Sequence, residues 1–165
     1  MKIIVFGATG GVGQHFVELV VMAGHTVTAF VRTPEKLKTK DVKIIQGDAF
    51  NADQVADAIT GHDAVISCLG SSTGVKKSNE LMMKMLSNPL ADHRAALNYY
   101  KTKDITYTIA RPMGLKDEPL KTDYKEAVDT VPKGSSSIPR ASVAHFMVKA
   151  LDDAQYENKS VGLCS

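Results

Sequence analysis

The sequence predicts an α/β domain of the doubly wound kind, a parallel sheet with helices on both faces. Three observations predict it. Apolar β-branched runs alternate with segments of helical apolar period over the first part of the chain. The first run, Lys2 to Phe6, is apolar on both faces, as a central parallel strand covered on both sides requires. Directly after it stands "GATGGVG", in which Gly7, Gly10 and Gly13 recur where a strand gives way to a helix.

Each element follows in order. From Val12 the positions Val12, Phe16, Leu19, Val20 and Ala23 keep the helical period, and Gly24 stands where a helix ends. Thr26 to Val31 reads as a second strand, a short helix starts at Pro34, and Val42 to Gln46 is a third strand. Asn51 caps the next helix, with Gln54 three residues on; Val55, Ala58 and Ile59 form its buried stripe, and Gly61 ends it. Asp63 to Leu69 is a fourth strand. Beyond the polar loop "LGSSTGVKKSNE", a helix capped by Asn88 and opened by Pro89 runs to Lys101, and Ile105 to Ala110 is a further strand. A mixed region to Gly134 is expected to hold short strands around Ala127 to Val131. The last helix, Ala141 to Leu151, turns Ala144, Met147, Ala150 and Leu151 inward.

A chain of 165 residues suits one domain, 1–165, with one sizeable core. Its net charge of +2 gives no field that implies a nucleic-acid partner. The two cysteines, Cys68 and Cys164, make no disulfide framework and no metal-ligand pair, and the five histidines are scattered, so no metal site is expected. With no signal-peptide pattern and no membrane-length apolar run, a cytoplasmic protein with Met1 near the true start is expected. Nothing in the sequence sets the oligomeric state.

The chemistry concentrates at the glycines. A dinucleotide's diphosphate needs bare backbone close by, free amides aimed at it and the positive end of a helix dipole behind it. The segment Gly7, Ala8, Thr9, Gly10, Gly11, Val12, Gly13 suits this: Gly7 for the tight turn, Gly10 and Gly11 for close approach, Gly13 for helix-strand packing. The competing reading is a glycine-rich connection without a ligand. Where the second strand ends, an acid would hold the ribose hydroxyls of NAD, whereas this chain has Val31, Arg32, Thr33. A guanidinium there pairs with a 2′-phosphate, so NADP(H) is preferred over NAD(H), with Lys36 assisting; the competing readings are a solvated surface charge at Arg32 and a solvated basic face around Lys36. After the third strand, Asp48 is either an acceptor for the adenine amino group, with Ala49 packed on the ring, or a turn aspartate before the Asn51 cap. After the fourth, Cys68, Leu69 and Gly70 lie where backbone runs beside a cofactor, unless Gly70 only terminates the strand.

The segments "VFGATGGVG", "FVRTPEKL", "VISCLG", "YTIARPMGLKDEPL" and "SIPRASVAHFMVKAL", in this order, resemble the atypical short-chain dehydrogenases/reductases. That group includes flavin reductase (biliverdin-IXβ reductase) and the NmrA-like proteins. The resemblance covers nearly the whole chain and implies a Rossmann-like fold with NADPH at Gly7 to Gly13, Arg32, Asp48 and Leu69. It also implies hydride transfer to a planar acceptor, with Pro112 and Met113 lining the nicotinamide end. Two departures stand out. A helix-strand unit usual in the family, ending in Ser or Thr beside the nicotinamide, is missing near Glu80 to Met82. Removing one complete unit preserves the alternation, which leaves three readings open: a sheet one strand narrower, exchange of elements between chains, or a segment absent from the sequence. Biliverdin-reducing members also carry a histidine where this chain has Met113, which counts against biliverdin itself as acceptor.

Other features draw less. Tyr99-x-x-x-Lys103 has the spacing of a tyrosine acid and its lysine, but it sits just before a strand, at the edge opposite the cofactor. Met82, Met83 and Met85 read as core first and as an adaptable wall for an aromatic substrate second. Arg111 is a candidate anchor for a substrate acid or an internal carboxylate, and Arg140 is expected to order the start of the last helix. The leading expectation is an NADPH-dependent reductase of a flavin-like or other conjugated small molecule, with no acid-base residue assigned. The alternative is a non-catalytic NADP(H)-sensing regulator of the NmrA-like type.

Overall fold

The computed structural model describes residues 1–70, 106–134 and 136–165. Met1–Leu69 and Thr108–Ser165 together form one compact unit. Its first sheet is parallel and holds β1 (Lys2–Phe6), β2 (Thr26–Val31), β3 (Lys43–Gln46) and β4 (Ala64–Ser67) in the order β3-β2-β1-β4. Phe6 is level with Phe30 on one side and Ser67 on the other, so the carboxyl ends share one edge.

Period-two alternation sends β1 side chains to both faces. Ile3 and Val5, with Val27, Ala29 and Val31 of β2, pack against Phe16, Val17 and Val20 of α1 (Gly11–Met22) and Ala144 of α3 (Arg140–Asp152). On the opposite face Ile4, Phe6 and Phe30 meet Ala58 of α2 (Ala52–Ile59). This is the doubly wound arrangement that the sequence predicts. The ends of α1 and α2 also follow from sequence. Gly24 takes φ +82, and the pair Gly24 N–H to Val21 O and His25 N–H to Val20 O closes α1. Asn51 accepts the Gln54 N–H at 3.1 Å and caps α2.

The remaining strands are β5 (Thr108–Pro112), β6 (Gly114–Lys116), β7 (Lys125–Val128), β8 (Ser137–Pro139) and β9 (Lys159–Cys164). Their sheets have the orders β5-β9-β7 and β6-β8. β5 runs parallel to β9, and β7 antiparallel to it. Val161 and Leu163 of β9 are buried with Ile138, Val143, Phe146 and Tyr156. Helix α3 therefore feeds two cores, Ala144 into the first and Phe146 into the second.

Several expectations are corrected here. Among the described residues β4 pairs only with β1, and β5 belongs to another sheet. Val65 and Leu69, on and just after β4, are 52% and 54% exposed. β5 continues past Ala110 to Pro112, which an edge strand tolerates. β7 begins two residues before the stretch expected to hold a strand and ends inside it at Val128, where Asp129 turns the chain at φ 56. β6, β8 and β9 were not anticipated; Gly162 disguised β9, yet a side chain there would come 2.5 Å from the Thr130 carbonyl oxygen. The helix from Asn88, the methionine run and Tyr99 with Lys103 lie outside the described residues.

Candidate functional site

The glycine segment leaves β1 and enters α1 along the carboxyl edge of the first sheet. Gly7 turns the chain at φ +75, and a Cβ there would lie 2.7 Å from the Cys68 carbonyl carbon. Only glycine meets both demands. Gly10 donates to the Gly7 carbonyl at 2.9 Å and opens α1 without a side-chain cap, and the first turn holds no acid. A Cβ on Gly13 would sit 2.2 Å from the Gly7 carbonyl oxygen, so helix and turn touch backbone to backbone. Ala8 is fully buried beneath them, and Thr9 accepts a 2.9 Å bond from Gln14 Nε2 through its carbonyl.

This mouth has the features that a diphosphate demands. It presents main chain rather than side chains, its helix end is positive and uncapped, and its close approaches exclude substituents. The buried Gln14 Oε1, which has no partner, adds a polar atom beside it. Gly11 departs from the expectation, however. The space its missing side chain leaves is taken by Arg140, whose Cδ would lie 2.6 Å from a Cβ at Gly11.

The other candidate residues of the first sheet line up along the same edge. Arg32 and Thr33 follow β2; Arg32 is exposed, has no ion-pair partner among the described residues, and accepts from Gln46 Nε2 at 3.2 Å through its carbonyl. Lys36 closes a 3-10 turn, Pro34–Lys36, and is exposed. Asp48 adopts the turn role: its Oδ1 accepts the Phe50 N–H at 3.1 Å and its N–H reaches Gln54 Oε1 at 2.9 Å. Ala49 packs toward the α2-side core. The Phe50 ring is 93% exposed beside them, an aromatic that the sequence reading passed over. Cys68 turns its side chain into the α1-side core, and burial pushes its thiol up to about 12. It meets the glycine turn through backbone alone, with exposed Leu69 and Gly70 after it.

Pro112 ends β5 in the second sheet and Met113 follows it, its N–H donating to the Leu163 carbonyl at 2.9 Å. Arg111 is turned toward the Thr130 carbonyl, which its Nη2 reaches at 2.9 Å, so its anchor is main chain and not a carboxylate. The link back to the glycines is Arg140. It opens α3, as expected, but its Nη1 also donates to Asp117 Oδ1 at 2.8 Å, just past β6. Gly11, Gln14 and Asp117 border one groove of about 500 Å³. No sequence signal marks this contact, because Gly11, Asp117 and Arg140 meet only through tertiary structure. Among the described residues no acidic, histidine or cysteine cluster suits a metal, and no helix is long and apolar enough to cross a membrane.

A family model described as NAD(P)H-binding matches the chain over residues 7–83 and 71–154. An uncharacterised chloroplastic protein of Arabidopsis thaliana is 31% identical over 202 residues, taking in 91% of this chain and 71% of its own length. That alignment is longer than the 165-residue chain, so the relative carries residues with no counterpart here. The uncharacterised protein YwnB of Bacillus subtilis is 36% identical over 74 residues, 45% of this chain, and the match spans 34% of that relative. Among solved structures, ChuY, an anaerobillin reductase from Escherichia coli O157:H7, superposes with a TM-score of 0.82 at 21% identity, over 99% of this chain and 96% of its own. A Streptococcus pneumoniae protein proposed as an NADH-flavin reductase gives 0.80 at 24%, over 100% and 99%. At such identities the likeness is one of fold.

Proposed function

Because the chain belongs to the NAD(P)H-binding family, we propose that it is an NADPH-dependent reductase passing hydride to a flavin-like or other conjugated small-molecule acceptor. The observation that carries the reading is the mouth of α1, uncapped, free of acid and closed to side chains at Gly7 and Gly13. The amides following Gly10 hold the diphosphate there. Arg32, with Thr33 and Lys36, takes the 2′-phosphate; no acid stands at the end of β2 to repel it. Asp48 and Ala49 flank the adenine, and the Cys68, Leu69 and Gly70 backbone runs along the middle of the cofactor.

When bound, the nicotinamide supplies the hydride. The protein's part is to orient and to exclude water, with Pro112 and Met113 walling the nicotinamide end. A buried thiol held protonated at Cys68 offers neither a base nor a nucleophile at neutral pH. The flavin or anaerobillin reduction named for the two fold neighbours suits such a site, since a conjugated acceptor takes hydride without a protein nucleophile.

The test is NADPH oxidation followed by absorbance with free flavins and quinones as acceptors. Turnover with one of them supports the reductase. Tight binding without turnover across the panel replaces it with the cofactor-sensing reading, and failure to bind either nicotinamide cofactor overturns both.

A further inference from the structure

We propose that Arg140 is a direct ligand of the cofactor's diphosphate, released to it by Asp117; the assignment rests on the NAD(P)H reading of the glycine mouth. Space, charge and anchorage lead to it. The Arg140 stem occupies the room left by Gly11, with Cδ and Nε at 2.6 and 2.8 Å from where a Cβ would stand. This sets a guanidinium against the first residue of α1. That end of the helix is positive, uncapped and without an acid in its first turn. A cation there faces a charge of its own sign, an arrangement that becomes favourable when an anion lies between guanidinium and amides.

The ion pair in place is a weak substitute. Asp117 is 86% exposed, and one Nη1 contact at 2.8 Å engages part of a fork with five donors. The backbone that carries Arg140 is firmly held, in contrast. Ile138 and Pro139, just before it, are buried in β8, and Ser142, just after it, is 0% exposed. Arg140 is therefore placed in advance beside the mouth, and exchanging one exposed carboxylate for two phosphates requires only side-chain rotation.

Equilibrium binding separates the possibilities, using NADP⁺, ADP-ribose, which carries the diphosphate, and 2′-AMP, which does not. Arg140→Gln is expected to raise Kd for NADP⁺ and ADP-ribose by about tenfold and leave 2′-AMP unchanged. Asp117→Asn is expected to tighten ADP-ribose by about threefold, since the competing carboxylate is gone. Arg140→Lys, a point charge without the fork, should fall between wild type and Arg140→Gln. If the pair is only a strut, Asp117→Asn weakens ADP-ribose as Arg140→Gln does, and the assignment is overturned. Unchanged ADP-ribose affinity in Arg140→Gln also overturns it while leaving the dinucleotide reading intact. A wild-type protein that binds neither NADP⁺ nor ADP-ribose removes both. Because Asp117 is exposed, its variant decides the matter even if Arg140→Gln folds poorly.

Discussion

Arg32 closes β2 as an exposed cation without an ion-pair partner among the described residues. Arg32→Asp should raise Kd for NADPH by roughly tenfold to a hundredfold and change NADH little, measured by fluorescence titration; an equal loss for both would reject the 2′-phosphate assignment. Gly13→Ala forces a methyl group to within 2.2 Å of the Gly7 carbonyl oxygen, and both parties are backbone. A destabilisation of about 1–3 kcal/mol in urea unfolding, with loss of dinucleotide binding, is expected. Cys68 and Tyr124 give a pH signature, because burial pushes the thiol from 9.0 and the phenol from 10.0 to about 12 in each case. A raised acid favours the folded state fully below its unfolded pKa, and that contribution is lost as pH climbs through the folded one. Stability should thus decline from about pH 9 toward 12, and Cys68→Ala should flatten the first part of the slope in urea melts repeated across pH. At this scale the glycine spacing and Arg32 were legible because local sequence determines them. The turn bonds of Asp48 and the contact of Arg140 with Gly11 were not, since they depend on what distant segments bring alongside.

Among elements, β1, α1, β2 and α2 could be read directly, because apolar runs mark both strands and an apolar period followed by a glycine marks both helices. The later strands could not. β6 and β8 have three residues each, too few to show a period, and β9 is interrupted by Gly162, whose necessity comes from the Thr130 carbonyl packed on it. Helix α3 was found, but its double duty was hidden: sequence shows an apolar stripe, not that the stripe serves two sheets. Phe146 is 0% exposed in the second core while Ala144, two positions earlier, lies in the first. Phe146→Ala should cost about 3–5 kcal/mol, and far- and near-ultraviolet dichroism should report the same midpoint if α3 couples the cores.

For the molecule as a whole, the order of motifs reads as one helix-strand unit short of the family, and the alignment with the Arabidopsis thaliana protein, at 202 residues, is longer than this chain. How the strands pair was beyond sequence alone. The alternation of elements reads as one layer, whereas strand pairing is decided by which strands meet in three dimensions. With β4 and β5 in separate sheets, hydrogen-bonded continuity is interrupted at β4 among the described residues, and α3 packs into the cores of both sheets.

That interruption changes what a bound coenzyme would mean for this chain. A dinucleotide seated at Gly7 to Gly13 and reaching Pro112 would span both halves like a splint, so occupancy and folding should be strongly linked. At a hundredfold excess over Kd the gain is about 2.7 kcal/mol, and thermal scans with NADP⁺ should therefore show one sharpened, upward-shifted melt in place of a broad one.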